Sequence, residues 1–477
     1  MSVHLGKDNY DFADRSALAK GSLKPINTLA IAIAAISPTT SVFLVYGTGL
    51  SSAGTGVIWA FIIAGFIAIG MALSYAEVGS VFPSAGGAYT IVRRALGPIW
   101  GGITNILFLV LGIVVTASIL VAAATYLSSL IPALPVNWTA LVMMVLVTFL
   151  SFQKISPTSL VTSLMLILEL GVILTFTFFA FVHSSFSINP LTHPVIPSPH
   201  GGTLIDVGIG GLLIAVVPAL FAYNGYDWPL YFAEESTHAK RMLPRAVLWA
   251  AGISIIIELG AVTAATFAIK NLPAVLSNPS PLSLIAKQTM GSFGAKILLI
   301  GVVIAMFDTG LAGNLAYARI YYAAGRDQMW PGKLNKFFSH TNSNQVPTYG
   351  FLVLLVGNGI LSIFDSLNNL ITFVGVIIVT IYLLVAISAL VCRVRDKDLE
   401  RGLKMPLWPI PPVVAIIGVV IALSQQTPRD LVTTGVIVII SLTFYILYRK
   451  NLPGRLTVTS CEIDANSNIV PSIKQDE

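Results

Sequence analysis

The sequence predicts an all-α polytopic membrane protein with twelve membrane-spanning helices. Three observations carry this. Hydrophobic residues make up 55% of the 477 residues and charged residues only 10%, where a soluble domain carries roughly a quarter charged residues. Apolar runs recur at lengths that match a bilayer core of about 30 Å, which takes about 20 helical residues. The basic residues gather on one side of those runs, as topology signals do.

Taken in order, the runs lie at 26-50, 56-76, 100-130, 138-153, 157-182, 207-233, 246-269, 295-320, 347-364, 368-391, 411-424 and 431-448. Helix breakers separate them at 47-56, 132-137, 190-202 and 405-412. With the N-terminus cytoplasmic, the outer side receives only Lys270, Lys287, Lys296 and Arg429 of the 27 Lys and Arg residues. The positive-inside rule then puts both termini in the cytoplasm and requires an even number of spans. The net charge of +6 forms no basic stripe and no aromatic platform, so it does not read as nucleic-acid binding. Two cysteines, Cys392 and Cys461, are too few for a disulfide framework or a multi-cysteine metal site. His183, His193 and His200 share an outer loop without a helical His pair or clustered acids, so no metal site is expected. The polar stretch 1-21 followed by a long apolar run predicts no cleavable signal. Trp100, Trp138, Trp330 and Trp408 fall near expected interfaces and read as an aromatic belt.

Two spans carry defects that a lipid-facing helix avoids. In span 1 the run 31-36 meets Ser37-Pro38-Thr39-Thr40-Ser41, where Pro38 removes a backbone donor and crowds the preceding turn. In span 6 Tyr223-Asn224-Gly225-Tyr226-Asp227 interrupts the run before Trp228-Pro229-Leu230. Unpaired N–H and C=O groups at membrane depth cost several kcal/mol each, so irregular backbone persists where it lines a cavity. A half-helix N-terminus then offers donors to an anion, and a C-terminus offers carbonyls to a cation. A simple proline kink is the structural alternative for either break alone. Spans 1 and 6, however, open two corresponding five-helix halves, the placement of inverted-repeat transporters.

Four acids, Glu169, Asp227, Glu258 and Asp308, fall inside the runs, with no Lys or Arg away from a run's end. An ionisable group at that depth is a functional candidate by default. Carboxyls without a cationic partner suit either proton coupling or a cationic ligand. Glu77, Glu234 and Glu235 lie near expected cytoplasmic ends, where a structural or gating role fits better.

Tyr75-Ala76-Glu77-Val78-Gly79, followed by Phe82-Pro83-Ser84-Ala85-Gly86-Gly87-Ala88-Tyr89, resembles a signature of the amino acid-polyamine-organocation permeases, the amino acid permease family. Phe221 through Asp227, Phe232-Ala233-Glu234-Glu235 and Leu243-Pro244-Arg245-Ala246 are similar to the family's span 6 pattern, and Gly325-Arg326-Asp327 and Met405-Pro406-Leu407-Trp408-Pro409 agree in order. The resemblance implies a LeuT-type fold of five-plus-five inverted repeats with broken helices 1 and 6. It divides the chain into an N-terminal tail (1-23), a first repeat and outer loop (24-200), a second repeat (201-392), spans 11 and 12 (393-450) and a C-terminal tail (451-477). It implies that Ser37 and the amides of Thr39, Thr40 and Ser41 hold a substrate carboxylate. The carbonyls of Phe221 and Asn224 would take the amine, with Gly225, Tyr226 and Asp227 completing the break. Glu169, Asp308, Asp227 and Glu258 are the coupling or gating candidates. This chain departs from relatives with a glycine-rich span 1 break and from those with a lysine in span 5, where Glu169 stands instead. Without a cysteine in the loop between spans 3 and 4, no disulfide-linked subunit is expected.

The expected function is a secondary permease moving amino acids across the cell membrane by alternating access, proton-coupled or exchanging, without a cofactor. The alternative is a transporter of polyamines, ethanolamine or another cationic amine. No G-x-S-x-G, H-E-x-x-H or Walker A segment supports an enzyme, and the glycines at 208-212 read as close helix packing. A receptor without transport would be separated by counterflow in liposomes.

Overall fold

The computed structural model describes residues 36–153, 159–184, 189–198, 203–234, 236, 239–448, 456–463 and 469–475. The N-terminal half of span 1, Glu235 and His200 lie outside the described residues.

Helix α1 (Pro38–Ala53) opens with proline at its first position, where the missing N–H has no intrahelical role. A 3-10 turn at Gly54–Gly56 carries it into α2 (Val57–Val81). After the Phe82–Gly86 signature comes α3 (Gly87–Leu96), a buried helix that falls between the hydropathy runs 56-76 and 100-130. Then follow α4 (Pro98–Leu130), α5 (Val136–Ser151) and α6 (Ser159–Val182). The outer loop folds into α7 (Asn189–Thr192) and an antiparallel ladder of β1 (Val195–Pro197) with β2 (Leu204–Asp206). Beyond it lie α8 (Ile209–Ala222), a 3-10 segment Trp228–Phe232, α9 (Ala239–Phe267), α10 (Leu272–Leu276), α11 (Pro281–Arg326), α12 (Gly332–Phe338), α13 (Thr348–Phe364), α14 (Leu367–Arg395), α15 (Ile410–Ser424) and α16 (Pro428–Leu447). A hairpin of β3 (Leu456–Ile463) and β4 (Ile469–Gln475) closes the described chain.

Among the described residues, six helical stretches are long and apolar enough to cross a membrane, and five shorter apolar helices accompany them. Large apolar side chains such as Phe66 (68% exposed), Ile256 (74%) and Phe293 (78%) point outward. Water penalises such a surface and hydrocarbon does not, which makes this an integral membrane protein.

Three expectations need correction. The two ladders depart from an all-α chain, although both lie outside the apolar helices. Span 8, expected at 295-320, runs over Pro281–Arg326 with a break at Gly291, whose φ of 72° only glycine adopts at little cost. Trp330 is not part of an interfacial belt: it is 9% exposed and packs on Phe338 at 5.3 Å between ring centroids.

The helices pack in two groups. In one, α1, α2, α8 and α9 contact one another; in the other, α4, α5, α11 and α13 do. Helices α6 and α14 touch both. Close approach within a group depends on small residues, as at Gly211, where a Cβ would lie 2.7 Å from the Ser52 carbonyl oxygen.

Candidate substrate site at two helix breaks

The break in span 1 is sharp. Ser37 adopts a left-handed conformation (φ 45°, ψ 76°) and caps α1, its Oγ accepting the Thr40 N–H at 3.3 Å. The same hydroxyl donates to Thr40 Oγ1 at 2.6 Å. Thr40 Oγ1 lies 2.9 Å from Thr309 Oγ1, and Thr309 donates to the Ala305 carbonyl at 2.8 Å. Each hydroxyl has one proton, so Thr40 is the donor to Thr309. Thr39 donates to the Glu169 carbonyl at 2.6 Å and Ser41 to the Ile36 carbonyl at 2.8 Å. The opened turn is thus tied to α6, to α11 and to itself.

The second break ends α8. Pro218 inside α8 leaves the Ile214 carbonyl without its usual donor, and Gln426 Nε2 supplies one at 3.3 Å. The chain then turns through Tyr223–Asp227, with Gly225 at φ 121°. Asn224 N–H bonds the Phe221 carbonyl at 3.0 Å, leaving that oxygen its second lone pair. Asn224 Nδ2 donates to Tyr382 Oη at 3.0 Å, and Tyr223 Oη donates to the Phe61 carbonyl at 3.2 Å.

Between the breaks lies a cavity of about 20 Å³, lined by Ile36, Thr40, Ser41, Leu44 and Val45 from the span 1 side and by Phe221, Asn224 and Trp228 from the span 6 side. Val115 and Ile119 of α4 and Thr309 of α11 close it from the other helix group. Of the residues expected from sequence, Thr40, Ser41, Phe221 and Asn224 therefore meet at one cavity. Ser37, Thr39, Gly225 and Tyr226 shape the breaks behind it. Asp227 stands apart: Tyr231 Oη donates to its Oδ2, and it is buried among Tyr75, Tyr226, Tyr317 and Tyr382. Glu169 and Glu258 are buried, and Asp308 is partly so; Asp308 and Glu258 lie close enough to Glu169 to act on it electrostatically. Ser254 Oγ donates to Glu258, while Glu169 Oε1 and Glu258 Oε2 have no hydrogen-bond partner among the described residues. The acids thus flank the cavity rather than line it.

The family model for amino acid permeases matches residues 23–447. The chain belongs to the amino acid permease family. The permease is 25% identical over 432 residues to the branched-chain amino acid permease BcaP of Bacillus subtilis, covering 86% of this chain and 89% of the relative. It is 24% identical to the BcaP of Lactococcus lactis (86% and 90% covered) and 21% identical to the serine/threonine exchanger SteT of Bacillus subtilis (84% and 90%). It is thus a transporter of amino acids of the amino acid-polyamine-organocation superfamily, and not an enzyme.

Packing gives the signature residues of the permease their physical roles. Gly87, at φ 47°, faces Tyr231, whose Cε1 would lie 2.1 Å from an added Cβ. Glu77 accepts from Arg393 Nη1 at 2.5 Å and from the Met405 N–H at 2.9 Å, joining α2 to α14 and to the segment before α15. Glu234 takes two bonds from Arg326 Nη1, at 2.7 and 2.6 Å, and one from the Ala85 N–H at 2.9 Å. Asp327 is paired with Arg93 at 3.3 Å and Arg326 at 3.0 Å. Sequence reasoning missed Thr309, Val115, Ile119 and Trp228 as lining residues. Nothing polar or irregular marks Val115 and Ile119, whereas Thr309 follows the intramembrane Asp308 and Trp228 follows the break, so both carried a readable signal.

Proposed function

We propose that this permease carries neutral amino acids with apolar side chains. The cavity lining supports this reading: among the described residues it holds no charged side chain, its polar groups are Thr40, Ser41, Asn224 and Thr309, and the remainder is aliphatic or aromatic. The α1 N-terminus suits the substrate carboxylate, and the Phe221 carbonyl at the end of α8 suits its ammonium. Apolar walls are left for the side chain. A cationic amine would need a carboxylate in the wall, and Asp227 is engaged by Tyr231 instead. The branched-chain permeases among the relatives point the same way.

A cavity of about 20 Å³ has room for roughly one water. Loading an amino acid therefore requires the two helix groups to part, which is alternating access. Breaks in the first helices of both halves and two four-helix groups favour a five-plus-five inverted repeat with twelve spans. The distribution of Lys and Arg favours cytoplasmic termini. Glu169, Asp308 and Glu258 are our candidates for coupling: like charges at this depth repel, and a bound proton relieves the repulsion.

Counterflow in proteoliposomes tests the substrate class. Labelled leucine, valine and alanine should accumulate against an internal pool, and lysine and putrescine should not compete. Preferential competition by putrescine would overturn the assignment in favour of an amine carrier.

A further inference from the structure

The indole of Trp228 bridges the two helix groups at the wall of the cavity. It enters from the 3-10 segment after the span 6 break, and its residue lines the cavity with only 3% exposure. Across the gap, α11 carries glycine at 313, where an added Cβ would lie 3.1 Å from Trp228 Cη2 and 3.7 Å from Cζ3. One turn further along α11, Tyr317 meets the indole edge-on, with ring centroids 5.7 Å apart and planes at 73°. The small residue opposite a large ring, with a second ring behind it, fixes how far the indole stands from the cavity's other walls.

We propose that Trp228, seated against Gly313, sets the size of side chain the permease accepts. Apolar pockets discriminate by fit: a surplus methylene meets a wall, and a missing one leaves a void. Five of the eleven lining residues are aliphatic, and two, Phe221 and Trp228, carry rigid aromatic rings. Of these two rings, Trp228 is the one seated against Gly313 and Tyr317. Its position can be shifted from either side. Trp228→Phe shortens the ring and deepens the cavity. Gly313→Ala leaves every other side chain in place and pushes the indole a few tenths of an ångström toward the cavity. The two substitutions therefore change selectivity in opposite directions, which general loss of packing would not do.

The inference rests on the apolar-substrate reading above, and one experiment separates the two. Uptake of labelled alanine, valine, leucine and phenylalanine is measured in proteoliposomes with wild type, Trp228→Phe and Gly313→Ala, each normalised to monodisperse protein. Trp228→Phe should raise phenylalanine relative to leucine uptake, and Gly313→Ala should raise alanine relative to leucine. Each ratio should move about tenfold, the discrimination one methylene brings to an apolar pocket. If Trp228→Phe does not yield folded protein, Gly313→Ala carries the test by itself. Ratios that stay at wild-type values, or both variants shifting preference toward the same side-chain size, overturn the role of Trp228. Wild-type uptake confined to polar or charged amino acids would overturn the substrate class instead. The effect of the two variants would then be read as an opposite shift in size order among those substrates.

Discussion

Ser37 holds a backbone conformation that costs a non-glycine residue about 1 kcal/mol or more. Its side chain offsets that cost by capping α1 and bonding Thr40. Two substitutions separate these effects. Ser37→Ala keeps the strain and loses the cap, and should lower stability by about 1 kcal/mol. Ser37→Gly also loses the hydroxyl but removes the strain, so its thermal unfolding midpoint in detergent should stay near wild type. An equal drop for both would show that the hydroxyl network outweighs the backbone. The sequence marked this residue because Pro38 follows it. It could not show that Thr40 would reach Thr309, since that bond spans 269 positions and depends on how α1 meets α11.

Helix α8 continues past Pro218 because another part of the chain completes its hydrogen bonding. Gln426, in the connection between α15 and α16, gives the Ile214 carbonyl its donor. Gln426→Leu should leave that carbonyl buried without a partner and cost about 1–3 kcal/mol, read as a lower unfolding midpoint with the span 6 break displaced. The signature turn makes a similar demand. Gly87→Ala forces a Cβ to within 2.1 Å of the Tyr231 ring, which must move away from Asp227. Loss of transport with retained folded yield is expected, and full uptake by this variant would show the Tyr231–Asp227 contact to be dispensable. Hydropathy located α1 through α16 except where helices are short or bent. It passed over α3 because this short helix, with Arg93 and Arg94 in its last turn, is far less apolar than its neighbours, and over the Gly291 break because that position precedes the apolar run at 295-320.

Across the whole molecule, Glu234 and Arg326 join the two helix groups. Glu234 follows the span 6 segment, Arg326 ends α11, and their side chains are 10% and 6% exposed. Removing one partner of a buried pair costs about 3–5 kcal/mol. The cost should be lower here, because Arg326 keeps Asp327 at 3.0 Å. Glu234→Gln should loosen this end of the molecule. The Ala85 amide reports it directly, since it donates to Glu234 at 2.9 Å. Hydrogen exchange of the peptide containing Ala85 should quicken in Glu234→Gln. Unchanged exchange would mean that the Asp327 pairs hold the groups together without Glu234.

The sequence by itself determined that this chain lives in a membrane, where most of its apolar helices begin and end, and that spans 1 and 6 break. Those properties depend on local composition: hydrocarbon selects apolar runs, and clustered proline, glycine and polar residues interrupt them at 37–41 and 223–227. It also placed Thr40, Ser41, Phe221 and Asn224 among the candidate residues, because they sit at the breaks. Only the tertiary structure decided that Val115, Ile119 and Thr309 complete the cavity, that Asp227 turns to Tyr231, and that Glu234 finds Arg326. Inside an apolar run one face is indistinguishable from another until a neighbouring helix selects it, and that choice depends on packing between residues far apart in the chain.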